Sequence, residues 1–215
     1  MTANRNRDPR GPVEDGDWPE SLPSHVATAN EPRHVHGFAL LTDLGRHYDF
    51  GETAFTILSG TPPSSEWGRA INLAFTALAG TSVAEAPVHA ATLSRRCTAP
   101  PRTALAIGML GLTEQADAAI NCNGPEEEPD ADARALWGEL PATVRKTLGE
   151  PRGSATTLAL TILRAAGLTS DVQLIAAISI ARLPLLAAEV EAVHPGDLRG
   201  YPMRLPDFEY AETDD

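Results

Sequence analysis

The chain has 215 residues, 42% hydrophobic, 21% charged and 5% aromatic, enough apolar matter for a packed core and therefore against wholesale disorder. Seventeen Lys and Arg stand against 29 Asp and Glu, a net charge of −12, so there is no general attraction to nucleic acid or to an anionic membrane surface. The two cysteines, Cys97 and Cys122, make neither a disulfide framework nor a Cys-rich zinc site, and no run approaches the roughly 18 consecutive apolar residues of a membrane span.

Met1 to about Arg33 mixes both charges with Pro9, Pro12, Pro19, Pro23 and Pro32. It has too little apolar surface to offset the entropy of ordering, and it reads as a disordered tail rather than a signal peptide. With only two cysteines, a reducing cytoplasm is the expected location. A helical domain is expected over residues 34–195, and an extended C-terminal segment over 196–215.

Within the domain the first strong signal is Asp49 with Glu52, a capping box ahead of the apolar face Phe50, Ala54, Phe55, Ile57 and Leu58. Ser59-Gly60 and Pro62-Pro63 end that helix. Ser64 or Ser65 opens a second helix carrying Trp67, Ile71, Ala74, Phe75 and Leu78, which stops at Gly80. A third helix is read at Val88–Leu93. A fourth, Arg102–Leu112, is so small and apolar that burial on most sides is expected.

Asn121–Ala131, with Asn123-Gly124-Pro125 and Glu126-Glu127-Glu128, reads as an exposed acidic loop. A short helix at Asp132–Trp137 and a linking stretch to Gly153 follow. Ala155–Ala166 is helical and stopped by Gly167. Ser170 with Gln173 opens a last long helix reaching Val193, with a kink expected near Ala181 because Pro184 lies inside it. No alternating strand pattern of useful length is found, so the fold class is all-α. The C-terminal segment carries Tyr201, Met203, Leu205, Phe208 and Tyr210, unusual in a chain so poor in aromatics, and is expected to lie along a surface groove of its own domain or of a partner.

The usual catalytic constellations are absent: no Walker-type phosphate loop, no G-x-G-x-x-G after a strand, no G-x-S-x-G elbow and no H-E-x-x-H. His34 and His36, two apart, fit no recognised zinc spacing, and no metal is expected. His47 reads as a surface residue, His194 as a helix-end cation, and Cys97 after Arg95-Arg96 as an idle thiol or one activated by its neighbours. His89, among small residues, reads as a satisfied core histidine or a catalytic one. Arg182 stands out, with Ile175–Ile180 before it and Leu183–Ala188 after. An arginine in so apolar a helix must reach a carboxylate, a phosphate or backbone carbonyls. An internal ion pair and an anionic ligand both satisfy that requirement.

The stretch HGFALLTDLGRHYDFGETAFTILSGTPPSSEWGRAINLAFTALA resembles the citrate synthase family, including its citryl-CoA lyase-like members. The matching residues are Gly37-Phe38, Phe50-Gly51-Glu52, Ile57-Leu58, Gly60, Pro63 and Glu66. PVHAATLSRRCTAPPRTALAIGMLGL is similar to the family's Thr-x-Ala-Ala-Arg helix and the Ala/Gly-rich helix after it. TILRAAGLTSDVQLIAAISIARLPLLAAEVEAV resembles the segment that ends in the family's Ser-Arg-x-x-Gly-x-x-Ala-His motif. The likeness covers about residues 35 to 195.

The resemblance implies a mostly helical fold that dimerises, and chemistry at a thioester α-carbon. There an aspartate removes a proton from an acyl-CoA, a histidine stabilises the enol, and a second histidine with arginines holds the oxo acid; in lyases the reaction runs in reverse. Base and oxyanion donor must act together in a desolvated pocket because the α-proton is only weakly acidic.

This sequence departs from the pattern at those groups. Gly111-Leu112-Thr113-Glu114-Gln115-Ala116 stands where Gly-Pro-x-His-Gly-Gly is expected, and NCNGPEEEPDAD where Gly-Phe-Gly-His is expected. Gly153-Ser154-Ala155-Thr156-Thr157 occupies the place of the base aspartate. The motif arginine survives as Arg182, while Ala188-Glu189 stand where its histidine belongs. The acidic loop would also repel the phosphates of coenzyme A.

Three readings follow. The first is a degenerate subunit that acts with an intact citrate synthase-like partner chain; the assembly expected from the resemblance is a homodimer or a heterodimer with a citrate synthase-like chain. The second is a self-sufficient enzyme with His89 and Glu114 as catalytic groups and Arg182 holding substrate. The third is a ligand-sensing or interaction module. A coenzyme A thioester is expected as a possible substrate, with no tightly bound cofactor, and a small carboxylate as a possible ligand.

Overall fold

The computed structural model describes residues 24–28, 31–121 and 128–196. Most of the expected N-terminal tail, the core of the acidic loop with Cys122, and the C-terminal segment from 197 onward lie outside these residues. The chain divides into two compact units, Met1–His47 and Tyr48–Asp215.

In the first unit, β1 (His34–Val35) and β2 (Phe38–Ala39) form an antiparallel hairpin. Its turn is His36-Gly37, with φ 50° and 87°, the doubly positive pair that matches strand twist in a two-residue hairpin. Ala27 bridges Val35, and the Thr28 N–H donates to the His34 carbonyl at 2.9 Å. Ser24–Thr28, part of the stretch expected as tail, is therefore paired with the hairpin. A π-helical turn, Leu40–Leu44, runs into the short α1 (Gly45–His47), and Asp43 Oδ2 accepts from the Ala39 N–H at 2.8 Å. Strands of two residues are too short to show a period-2 pattern, which is why the sequence gives no sign of them.

The second unit is all-α among its described residues. Its helices are α2 (Phe50–Ser59), α3 (Ser65–Leu78), α4 (Ala86–Arg96), α5 (Pro101–Asn121), α6 (Ala131–Glu139), α7 (Ala142–Leu148), α8 (Ala155–Ala166) and α9 (Asp171–Ala192). The capping boxes of α2 and α9 are present: Glu52 Oε2 accepts from the Asp49 N–H at 2.8 Å, and Gln173 Oε1 from the Ser170 N–H at 3.0 Å. Gly60, left-handed at φ 83°, closes α2 as its sequence position implies.

Three expectations are corrected. The linking stretch before Gly153 contains α7, a helix too short for a clear period. The fourth helix runs nine residues beyond Leu112, to Asn121, because Thr113–Asp117 are polar without being helix breakers. That helix is also not buried on most sides. Only the stripe Ala104, Gly108, Leu112, Ala116 and Ile120 is buried, while Ile107, Met109 and Leu110 are exposed, Leu110 by 71%. An apolar composition gives the number of nonpolar faces a helix has, and not which of them the rest of the domain covers.

Two apolar cores fill this unit. One holds Ala54, Phe55, Ile71, Ala74, Leu78, Ala116, Ile120, Leu163, Leu174 and Ile178, where α3 packs on α8. The other holds Val88, Ala91, Ala104, Leu112, Leu186 and Val190, where α4, α5 and the second half of α9 meet. By length and composition α9 would cross a membrane. Here its inward stripe Leu174, Ile178, Leu186 and Val190 is core.

Candidate functional site

α5 and α9 both pass from one core to the other, and each carries a polar residue at the crossing. On α5, Gln115 falls between Leu112 and Ala116; on α9, Arg182 falls between Ile178 and Leu186. Arg182 occupies the i+4 place on a stripe whose other members are aliphatic, and it is only 7% exposed. Leu78 ends α3 and Glu85 caps α4, so the connection between those helices reaches the same level.

These four residues form one hydrogen-bonded cluster. Arg182 Nε donates to the Leu78 carbonyl at 3.2 Å, and Nη1 donates to Gln115 Oε1 at 2.7 Å and to Glu85 Oε2 at 3.2 Å. Gln115 Nε2 donates to the same Glu85 oxygen at 2.6 Å, while Glu85 Oε1 accepts from the Ser82 N–H at 3.1 Å. Each contact serves two elements. The Leu78 carbonyl is one of the last-turn acceptors that a helix end leaves unpaired, and Glu85 fixes the turn that starts α4. An arginine is suited to this because its planar fork spreads several donors in fixed directions.

Of the two arrangements open to Arg182 from sequence, the internal ion pair is the one present. Glu85 and Gln115 are partners of Arg182 that the sequence does not single out. Glu85 was legible in part, since Ala86-Pro87 marks a helix start and the preceding residue is its cap. Gln115 was hidden by ending the fourth helix at Leu112.

Glu114 is exposed on α5, one residue from Gln115, and His89 is exposed on α4, one turn beyond Glu85. Neither takes part in the cluster's described hydrogen bonds. Gly111–Ala116, where the resemblance places a histidine motif, is continuous helix here. Ser154, within the stretch where the resemblance places a base aspartate, caps α8: its Oγ accepts from the Thr157 N–H at 3.2 Å. Cys97 is an exposed free thiol at the end of α4. His34 Nδ1 lies 2.7 Å from the Pro32 carbonyl oxygen, and among the described residues no group of three His, Cys, Asp or Glu is placed to hold a metal.

Cavities lie elsewhere. In the first unit a space of about 530 Å³ is lined by Glu31–Arg33 and Ala39–Thr42. In the second, a shallow one of about 360 Å³ opens beside Asp49, Glu52, Arg69 and Asn72. A third, about 600 Å³, is an apolar groove between α5 and α9. None of these three is lined by His89, Glu114 or Arg182.

No family model matches the chain, and no curated protein sequence matches it. Among solved structures, the chain is similar to citryl-CoA lyase from Hydrogenobacter thermophilus. The TM-score is 0.61 at 15% sequence identity, over 90% of this chain and 96% of that one. At that identity the likeness is one of fold, and fold alone does not carry function. The chain has the all-α citrate synthase-like fold.

Proposed function

We propose that this chain is a citrate synthase-like subunit of acyl-CoA and 2-oxo acid metabolism, without an acid–base set of its own, that works with an intact family member. The observation that carries this reading is a conjunction. The fold agrees with a citryl-CoA lyase over nearly the whole of both chains, yet the continuous helix Gly111–Ala116 and the capping stretch at Ser154 stand where the resemblance expects a histidine motif and the base aspartate. Removing an α-proton needs a base and an enol-stabilising donor around one desolvated pocket, and His89 and Glu114 are both exposed.

In this reading Arg182 anchors the helices that frame a shared site. A carboxylate ligand at Nη1 would compete there with Glu85 and Gln115. The coenzyme A thioester is then a substrate bound with the partner's help, since the net charge of −12 disfavours its phosphates.

Co-expression with a complete citrate synthase-like chain tests the reading. The two are expected to co-purify and to release coenzyme A from an acyl-CoA and a 2-oxo acid, or to cleave citryl-CoA, faster than the intact chain alone. The purified chain by itself is expected to release none. Turnover by this chain alone, or a homodimer indifferent to the partner, would overturn the proposal.

A further inference from the structure

The groove between α5 and α9 is walled by Ala106, Met109 and Leu110 on one side and by Ala176, Ile180 and Leu183 on the other, with a volume of about 600 Å³. Among the described residues no charged one lines it, in a chain of net charge −12. An apolar channel of this kind favours an occupant that takes its walls out of water.

We infer that the occupant is this chain's own C-terminal segment, with Tyr201, Met203 and Leu205 seated in the groove. Three observations lead there. The first is where the described chain ends. A Cβ at Gly108 would meet Leu186, and Gln115 bonds Arg182, so α5 and α9 run antiparallel, and the last residues of α9 lie beside the first of α5. The Gly196 N–H donates to the Arg96 carbonyl at 2.8 Å, which holds the departing chain at that same end. From Ala192 back to Leu183, the groove's near end, is about 14 Å of helix. The five residues from Gly196 to Tyr201 span about 17 Å when extended.

The second observation is period. Tyr201-Pro202-Met203-Arg204-Leu205 alternates apolar and non-apolar side chains, so an extended chain turns all three apolar ones to one side. The stretch from Tyr201 to Leu205 covers about 13 Å, and the groove wall from Ala106 to Thr113 covers about 10 Å. The third is charge. A segment running in the direction of α5 brings Arg204 to the end where Glu114 and Asp117 are exposed.

Photo-crosslinking of the full chain tests this. Leu110 is replaced by p-benzoylphenylalanine in an equal mixture of unlabelled and 15N-labelled protein, and the products are mapped by mass spectrometry. Adducts from position 110 to residues 200–206 are expected, with both peptides carrying the same isotope. Adducts of mixed isotope would place a second copy in the groove. Adducts to any other segment, or none, would leave the groove to another occupant; each of these outcomes overturns the inference. Limited trypsin digestion gives an independent readout. Ala176→Trp fills the groove at its rim and is expected to speed cleavage after Arg204 about tenfold, by populating the released segment, with helical circular dichroism unchanged. Equal cleavage rates would count against docking. The inference does not depend on the proposed function, because no acyl-CoA or partner chain enters either measurement.

Discussion

Gln115 Oε1 and Arg182 Nη1 lie 2.7 Å apart at the level where α5 and α9 leave one apolar core and enter the other. A pair of aliphatic residues there would fuse the cores into one and allow the two helices to slide by a turn. The polar pair, tied to Glu85 and to the Leu78 carbonyl, admits one register. In a partly buried polar cluster of this kind, desolvating the members offsets much of their attraction.

Removing one member is therefore far more damaging than the cluster's net worth suggests. Arg182→Ala leaves the buried Leu78 carbonyl unpaired and takes the guanidinium from Glu85, whose side chain is 30% exposed and can be hydrated, and is expected to lower the unfolding free energy by roughly 2–3 kcal/mol. Gln115→Leu, which removes a neutral partner, is expected to cost about 1–3 kcal/mol. The double variant should cost clearly less than the sum of the two, since both act on the same contacts. Urea titrations of the four proteins check this, and strict additivity would mean that the two side chains are energetically independent.

The Arg69–Glu139 pair offers a contrast in the same molecule. Its N···O distance is 2.8 Å, shorter than that of Arg182 to Glu85, but its side chains are 63% and 64% exposed. Water screens an attraction of this kind and the ordered side chains lose entropy. Arg69→Met is expected to change stability by less than about 0.5 kcal/mol. Comparison of its urea midpoint with that of Arg182→Ala separates burial from distance as the cause.

What could be read from the sequence follows from how local each signal is. The boxes at Asp49–Glu52 and Ser170–Gln173 and the stop at Gly167 act within one helical turn, and those ends lie where the residues put them. The π-helical turn at Leu40–Leu44 and α7 carry no such marks. Arg182 was conspicuous because its own neighbours are apolar. Its partners were not, because Gln115 and Glu85 are separated from it by 67 and 97 residues and become neighbours only through packing. The exposure of Leu110 was unreadable for the same reason: α5 looks equally apolar toward the core and away from it.

Helix caps give the most local prediction. The Ser154 hydroxyl accepts from the Thr157 N–H and the Asp130 carboxylate from the Ala133 N–H at 2.6 Å, opening α8 and α6. Ser154→Ala and Asp130→Ala are each expected to cost about 1 kcal/mol, and the two effects should add. Thermal unfolding of the single and double variants tests this. A Ser154→Ala loss well above that figure would mean that the residue does more than cap its helix.

Gly108 tests the packing of the second core. It lies on the buried stripe of α5, where a Cβ would stand 2.7 Å from Leu186 Cδ1 and 3.0 Å from the Ala91 Cβ. The absence of a side chain lets α5 approach both α4 and α9 at this point. In a solvent-exposed helix, replacing glycine would gain up to about 1 kcal/mol of helix propensity. Here Gly108→Val must push Leu186 out of a core whose other members are buried, and overpacking of this kind costs about 1–3 kcal/mol. The steric term wins, so the variant is expected to unfold at lower urea. The second substitution Leu186→Ala decides the mechanism. It opens the space the valine needs, so Gly108→Val should be tolerated far better in that background than in the parent chain. If the valine is equally harmful in both, Leu186 is not the obstacle and the close approach to Ala91 sets the limit.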